Sequence, residues 1–157
     1  MFRKKGGQTV IELIVVLPVF MMIIFVVLEL GNIAYHTLLA HHISYELARV
    51  GSMVGVKKPS TQADTSRMRG KMRNALSKML GMADPGKKVR FSSKVVHTST
   101  DPQVNFHRNE DLVVNIVYRV DLAYPLTSYV FASEPKKLGI LWLKAHARMP
   151  VEKPLLN

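Results

Sequence analysis

The chain has 157 residues, with 22 Lys and Arg against 11 Asp and Glu, a formal charge of +11, and no cysteine. That length accommodates one domain plus an anchor rather than several domains. The lack of cysteine excludes disulfides, thiolate metal sites and thiol catalysis, so a domain exported from the cytoplasm has to rest on an apolar core.

The first element is an apolar run from Val10 to Leu30, whose only charges are Glu12 and Glu29 near its ends. At about 1.5 Å per helical residue it spans roughly 31 Å, the thickness of a bilayer core. Arg3, Lys4 and Lys5 precede it, and no further Lys or Arg follows until Arg49. The positive-inside rule therefore predicts a single pass with the N-terminus in the cytoplasm and residues 31–157 on the far side. The run exceeds an ordinary secretory h-region, and "LELGNIAYH" at its far end lacks a small-x-small site, so ordinary signal-peptide cleavage is not expected.

The helical pattern continues past Leu30. Apolar residues recur at Leu39, Ile43, Leu47, Val50 and Val54, with Tyr35 and Ala40 near the same stripe. That 3.6-residue period predicts one helix from about Thr9 to about Val54, apolar all round in its first half and amphipathic in its second. Pro18 removes one backbone hydrogen bond within it. Pro59 ends the pattern, and Ser60 or Thr61 can cap a second helix over about 61–82. One face of that helix carries Met68, Met72, Ala75, Leu76, Met79 and Leu80; the other carries Arg67, Arg69, Lys71, Arg73 and Lys78.

Three strands follow in the reading. Residues 89–96 alternate loosely. In 112–122, Leu112, Val114, Ile116, Tyr118, Val120 and Leu122 share one face, and in 141–149 Leu141, Leu143, Ala145, Ala147 and Met149 share one. Period-two alternation implies one wet and one buried sheet face. Residues 97–111 and 123–138 read as loops, with a short helical turn at "LTSYVF". The expected fold class is α+β: a long N-terminal transmembrane and amphipathic helix packed on a small antiparallel sheet of about three strands, with one further amphipathic helix.

The stretch "RKKGGQTVIE" carries the clearest motif. A carboxylate beside lipid costs several kcal/mol unless something pairs with it. Counting from Gly7, Gln8 is the first residue and Glu12 the fifth, behind a basic leader and ahead of an apolar run. This arrangement resembles the type IV prepilin signal. With "GGQTVIELIVVLPVF", the Glu29-Leu30-Gly31 exit and "LWLKAHARMPVE", the chain resembles the TadE-like family, the minor pseudopilins of the tight-adherence (Tad/Flp) pilus system. TadE and TadF relatives share the N-terminal pattern.

The resemblance implies a structural subunit that helps to initiate or prime pilus assembly after prepilin peptidase cuts between Gly7 and Gln8. It implies a leader of residues 1–7, a transmembrane helix over 8–30 in a bacterial inner membrane, and a periplasmic domain over 31–157. It also gives Glu12 a partner in assembly, the new α-amine of Gln8 or of a neighbouring subunit. The implied partners are the peptidase, other pseudopilins and pilins, and the inner-membrane assembly platform.

The remaining candidates carry less. His36, His41 and His42 do not share a helical face at metal spacing, and a structural role is expected. There is no triad order, phosphate loop or HExxH motif, so neither an enzyme, a cofactor nor a small-molecule substrate is expected. The basic face at Arg67, Arg69, Lys71, Arg73 and Lys78 is read first as solvated. Its sharper reading is an uncleaved single-pass membrane adaptor binding an acidic partner through this helix. The predicted topology puts that face outside the cytoplasm, so nucleic acid is not the expected partner.

Overall fold

In the computed structural model, residues 6–54, 62–98 and 109–151 are described. Helix α1 spans Gly6–Met53 and is helical through both Pro18 and Gly31. Helix α2 spans Gln62–Leu80, followed by a 3-10 turn at Pro85–Lys87. Strands β1 (Val89–Thr98) and β2 (Asn109–Asp121), the short helix α3 (Thr127–Phe131), a 3-10 turn at Lys136–Leu138 and strand β3 (Ile140–Pro150) complete the order. The expected caps Ser60 and Thr61, the break at Pro59 and most of the leader lie outside the described residues. The chain divides into two compact units, one of Met1–Tyr35 with Val120–Leu141 and one of His36–Arg119 with Trp142–Asn157.

The three strands form one sheet in the order β1-β2-β3. β1 and β2 pair antiparallel with Val89 opposite Tyr118, Phe91 opposite Ile116, Ser93 opposite Val114 and Val95 opposite Leu112. β3 returns along β2: the amide of Leu122 donates to Gly139, and that of Val151 to Glu110. Arg148 adds a cross-strand ion pair, its Nε and Nη2 at 2.7 and 2.6 Å from Asp111 Oδ2.

In the second unit the inward β2 residues Leu112, Val114, Ile116 and Tyr118 are buried, as alternation requires. They share a core with Ala40, Ile43, Leu47 and Ala48 of α1 and Met68, Met72 and Leu76 of α2. The buried stripe of α1 continues through Gly51 and Ser52. Small residues at this end let the helix come close to its neighbours: a Cβ on Gly51 would lie 2.4 Å from Leu112 Cδ2 and 3.1 Å from Met72 Sδ.

Two side chains depart from the expected faces. Tyr35 is exposed. The aromatic contact one position on belongs to His36, whose ring tilts against Tyr118 at 5.5 Å. Met79 is also exposed, because the packed stripe of α2 follows Met68, Met72 and Leu76 at spacings of four and leaves Met79 at its edge.

In the first unit, Val10 to Ile23 of α1 expose their apolar side chains on every face. Contact with the rest of the unit begins at Ile24, Phe25 and Val26, which are half-buried. The ring of Phe25 stacks on Tyr124 at 5.9 Å.

Candidate functional site

The helical phase of α1 dictates what its first third can do. A helix that is apolar all round buries no stripe of its own, so it needs lipid or neighbouring subunits. By length and composition α1 is the one helix among the described residues able to cross a membrane. Gly7 and Gln8 lie in its first helical turn, and Glu12 is exposed among Val10, Ile11, Leu13 and Val16. Gln8 and Glu12 are four residues apart, about 6 Å along the helix axis.

At the other end of this stretch, Glu29 is fully buried at 0% exposure. Its Oε2 accepts from the amides of Ala123 at 3.1 Å and Tyr124 at 3.0 Å, and Thr127 Oγ1 lies 3.0 Å away. Asn32 Nδ2 donates to Oε1 at 2.9 Å. Thr127 Oγ1 is also 2.7 Å from the Tyr124 carbonyl, so its single proton serves two acceptors. The carboxylate thus organises the turn between β2 and α3, supplying acceptors for backbone amides that have no ladder partner. The sequence marked Glu29 only as a charge near the end of an apolar run. A lone carboxylate in such a run demands donors, which is the signal for this site; Asn32 is near in sequence, but the donors at Ala123, Tyr124 and Thr127, close to a hundred residues downstream, have no sequence signature.

The basic residues expected on α2 are all exposed, but the structure sorts them. Arg69 and Arg73 border a cleft of about 510 Å³ together with Arg90 of β1, over a floor that includes Leu76, Pro85 and Val89. Arg67, Lys71 and Lys78 do not line it. Arg69 Nη2 reaches the Ser93 carbonyl at 3.4 Å, and the Arg90 guanidinium lies 5.9 Å from the Trp142 ring centre. Arg69 and Arg73 put two cationic side chains at the rim of an apolar floor, a combination chemically suited to a carboxylate beside an apolar side chain. Arg90 sits opposite Val117, on the sheet face away from Val89 and the core, and its guanidinium lies over Trp142.

Among the described residues there is no group of three His, Asp or Glu side chains placed to hold a metal ion. His41 and His42 are exposed.

The family model described as TadE-like protein matches residues 7–49, which is most of α1. The resemblance read from the N-terminal motif therefore holds over that segment. No curated protein matches, and no solved structure matches.

Proposed function

We propose that this chain, with its TadE-like N-terminal segment, is a minor pseudopilin of a Tad/Flp-type pilus assembly system. The observation that carries the reading is the first third of α1: an apolar surface exposed on every face, with Gly7, Gln8 and Glu12 at prepilin spacing before it. In this reading α1 is held in a bacterial inner membrane, with its N-terminus in the cytoplasm and the sheet-bearing part of the chain in the periplasm. Prepilin peptidase cuts after Gly7, the small residue that its pocket requires. The Glu12 carboxylate then pairs with the freed α-amine of Gln8 or of the next subunit, which sets axial register as subunits assemble on the platform at the membrane. The role is structural, in initiating or priming the fibre together with other pseudopilins and pilins.

Intact mass and N-terminal sequencing of the protein purified from its host test the processing step. The expected mature chain begins at Gln8 and lacks the three cationic side chains Arg3, Lys4 and Lys5. A full-length mass from cells with an active prepilin peptidase refutes the reading.

The cleft bordered by Arg69 and Arg73 supports a second role, as an adaptor docking an acidic segment of a partner. Arg69→Glu with Arg73→Glu is expected to abolish co-purification of such a partner and leave the fold intact. Unchanged co-purification of pilus components with the double variant overturns the adaptor role.

A further inference from the structure

We infer that the segment from Leu126 to Leu138 is a second membrane contact, an interfacial anchor that seats on the lipid surface where α1 leaves the bilayer. The inference rests on α1 being membrane-spanning.

Four observations within the first unit carry it. The segment is tied to the end of the apolar stretch and nowhere near its start. Phe25 stacks on Tyr124, and Glu29 holds Ala123, Tyr124 and Thr127. Counting about 21 residues for a span from Val10, these positions of α1 lie in the last turns before water, at the headgroup level.

The segment also exposes apolar surface that its own unit does not cover. Tyr129 is 71% exposed, Val130 65%, Leu138 63% and Leu126 52%. Four large apolar side chains are thus left exposed within thirteen residues of chain. Tyrosine with aliphatic neighbours is the composition that partitions to a bilayer interface.

Leu126 has φ 69, a left-handed conformation that disfavours a branched side chain. Such a residue persists where the surrounding structure imposes it, and the Glu29 bonds on both sides of it do so. The turn thereby holds Leu126 outward on the same segment as Tyr129 and Val130.

Finally, cations stand at the patch. Lys136 Nζ donates to the Tyr129 carbonyl at 3.0 Å, which brings an ammonium group against the apolar surface, and Lys137 is adjacent in sequence. Apolar side chains with lysines beside them match an acyl boundary under anionic headgroups. A pilin subunit as the occupant accounts for apolar exposure but not for the attachment of the patch to the membrane end of α1.

The absence of native cysteine allows a clean test on the full chain. Single variants Tyr129→Cys and Val130→Cys carry a nitroxide label, and Phe20→Cys serves as the in-membrane reference. Each is reconstituted in vesicles of phosphatidylcholine with phosphatidylglycerol. Collision with dissolved oxygen reports lipid, and collision with a water-soluble nickel chelate reports water. Labels at 129 and 130 are expected to favour oxygen, as the label at 20 does. Omitting phosphatidylglycerol, or introducing Lys136→Gln or Lys137→Gln, shifts the bound-to-free ratio of the segment about fivefold per lysine.

Nickel access at 129 and 130 equal to that of a free side chain, with the label at 20 in lipid, overturns this inference alone. Protection that arises only when other pilus subunits are added also overturns it, in favour of a protein interface. A label at 20 that is open to nickel removes the membrane-spanning reading, and this inference with it.

Discussion

Thr127 Oγ1 lies 3.0 Å from the Oε2 of Glu29, joining positions 98 residues apart in the chain. The same oxygen accepts two backbone amides, so one carboxylate replaces the ladder that β2 has just left. A polar contact of this kind stabilises modestly when made and costs more when one side is removed.

That asymmetry orders three variants. Thr127→Val removes one donor and is expected to cost about 1 kcal/mol. Glu29→Gln retains an acceptor for the two amides if Asn32 turns its side-chain oxygen toward the new amide, and costs about 1–2 kcal/mol through loss of the charge-assisted bonds. Glu29→Leu leaves the amides of Ala123 and Tyr124 and the Thr127 hydroxyl without their acceptor and is expected to cost the most of the three, about 2 kcal/mol or more. Thermal unfolding in detergent gives the order. Hydrogen exchange at Ala123 and Tyr124 gives the location, and unchanged protection there in Glu29→Leu contradicts the role assigned to Glu29.

Two leucines on α1 separate its faces. Leu47 is 0% exposed and Leu38 is 72% exposed. Leu47→Asp forfeits about 1.5–3 kcal/mol of burial and adds the larger penalty of an unpaired buried charge, so the sheet-bearing unit should fail to fold. Leu38→Asp should melt within a few degrees of wild type. Similar melting curves for the two variants, followed by circular dichroism, would contradict the packing of α1 against β2.

Two glycines carry opposite signs. Gly70 lies inside α2 with nothing within 4 Å of an added Cβ, so Gly70→Ala should raise stability by up to about 1 kcal/mol through helix propensity. Gly51→Ala gains the same propensity but drives its methyl into Leu112, which is itself 0% exposed and has little room to move. Overpacking costs about 1–3 kcal/mol, so the net change should be a loss. A chemical denaturation series on both variants shows whether the signs differ.

Glu12→Gln separates anchoring from assembly. Insertion should be unimpaired, because a costly charge leaves an apolar helix. Processing after Gly7 should continue, and pilus formation should fall sharply. Normal pili from this variant, or its loss from the membrane fraction, defeats the proposed pairing with an α-amine.

Much of the architecture follows from periodicity. The period of 3.6 through Val54 predicts α1, and the alternation over 112–122 predicts the buried face of β2, because each pattern states which residues must leave water. The helical turn at "LTSYVF" is legible from the same local rules and corresponds to α3. The N-terminal motif is legible for a different reason: Glu12 is costly where it stands, and that cost is visible without coordinates.

Phase at the boundary of an element is less well determined. Tyr35 and His36 are neighbours on a helix, and hydrophobicity alone favours the tyrosine as the inward residue. The sheet takes the histidine, whose ring lies against Tyr118 of β2. Met79 shows the same limit on α2, where the width of the buried stripe depends on how much of the sheet lies beneath it.

By itself the sequence determined what is local: element type, the buried face of each element, the apolar length of α1 and the carboxylates placed within it. Only the tertiary structure decided which distant groups meet. It set Arg69 against the Ser93 carbonyl and Arg90 over Trp142, and it brought the turn at residues 123–127 to Glu29. The reason is that periodicity encodes transfer from water, which depends on each residue and its near neighbours. Hydrogen bonds and charge clusters are directional and short-ranged, and depend on where the chain returns in space.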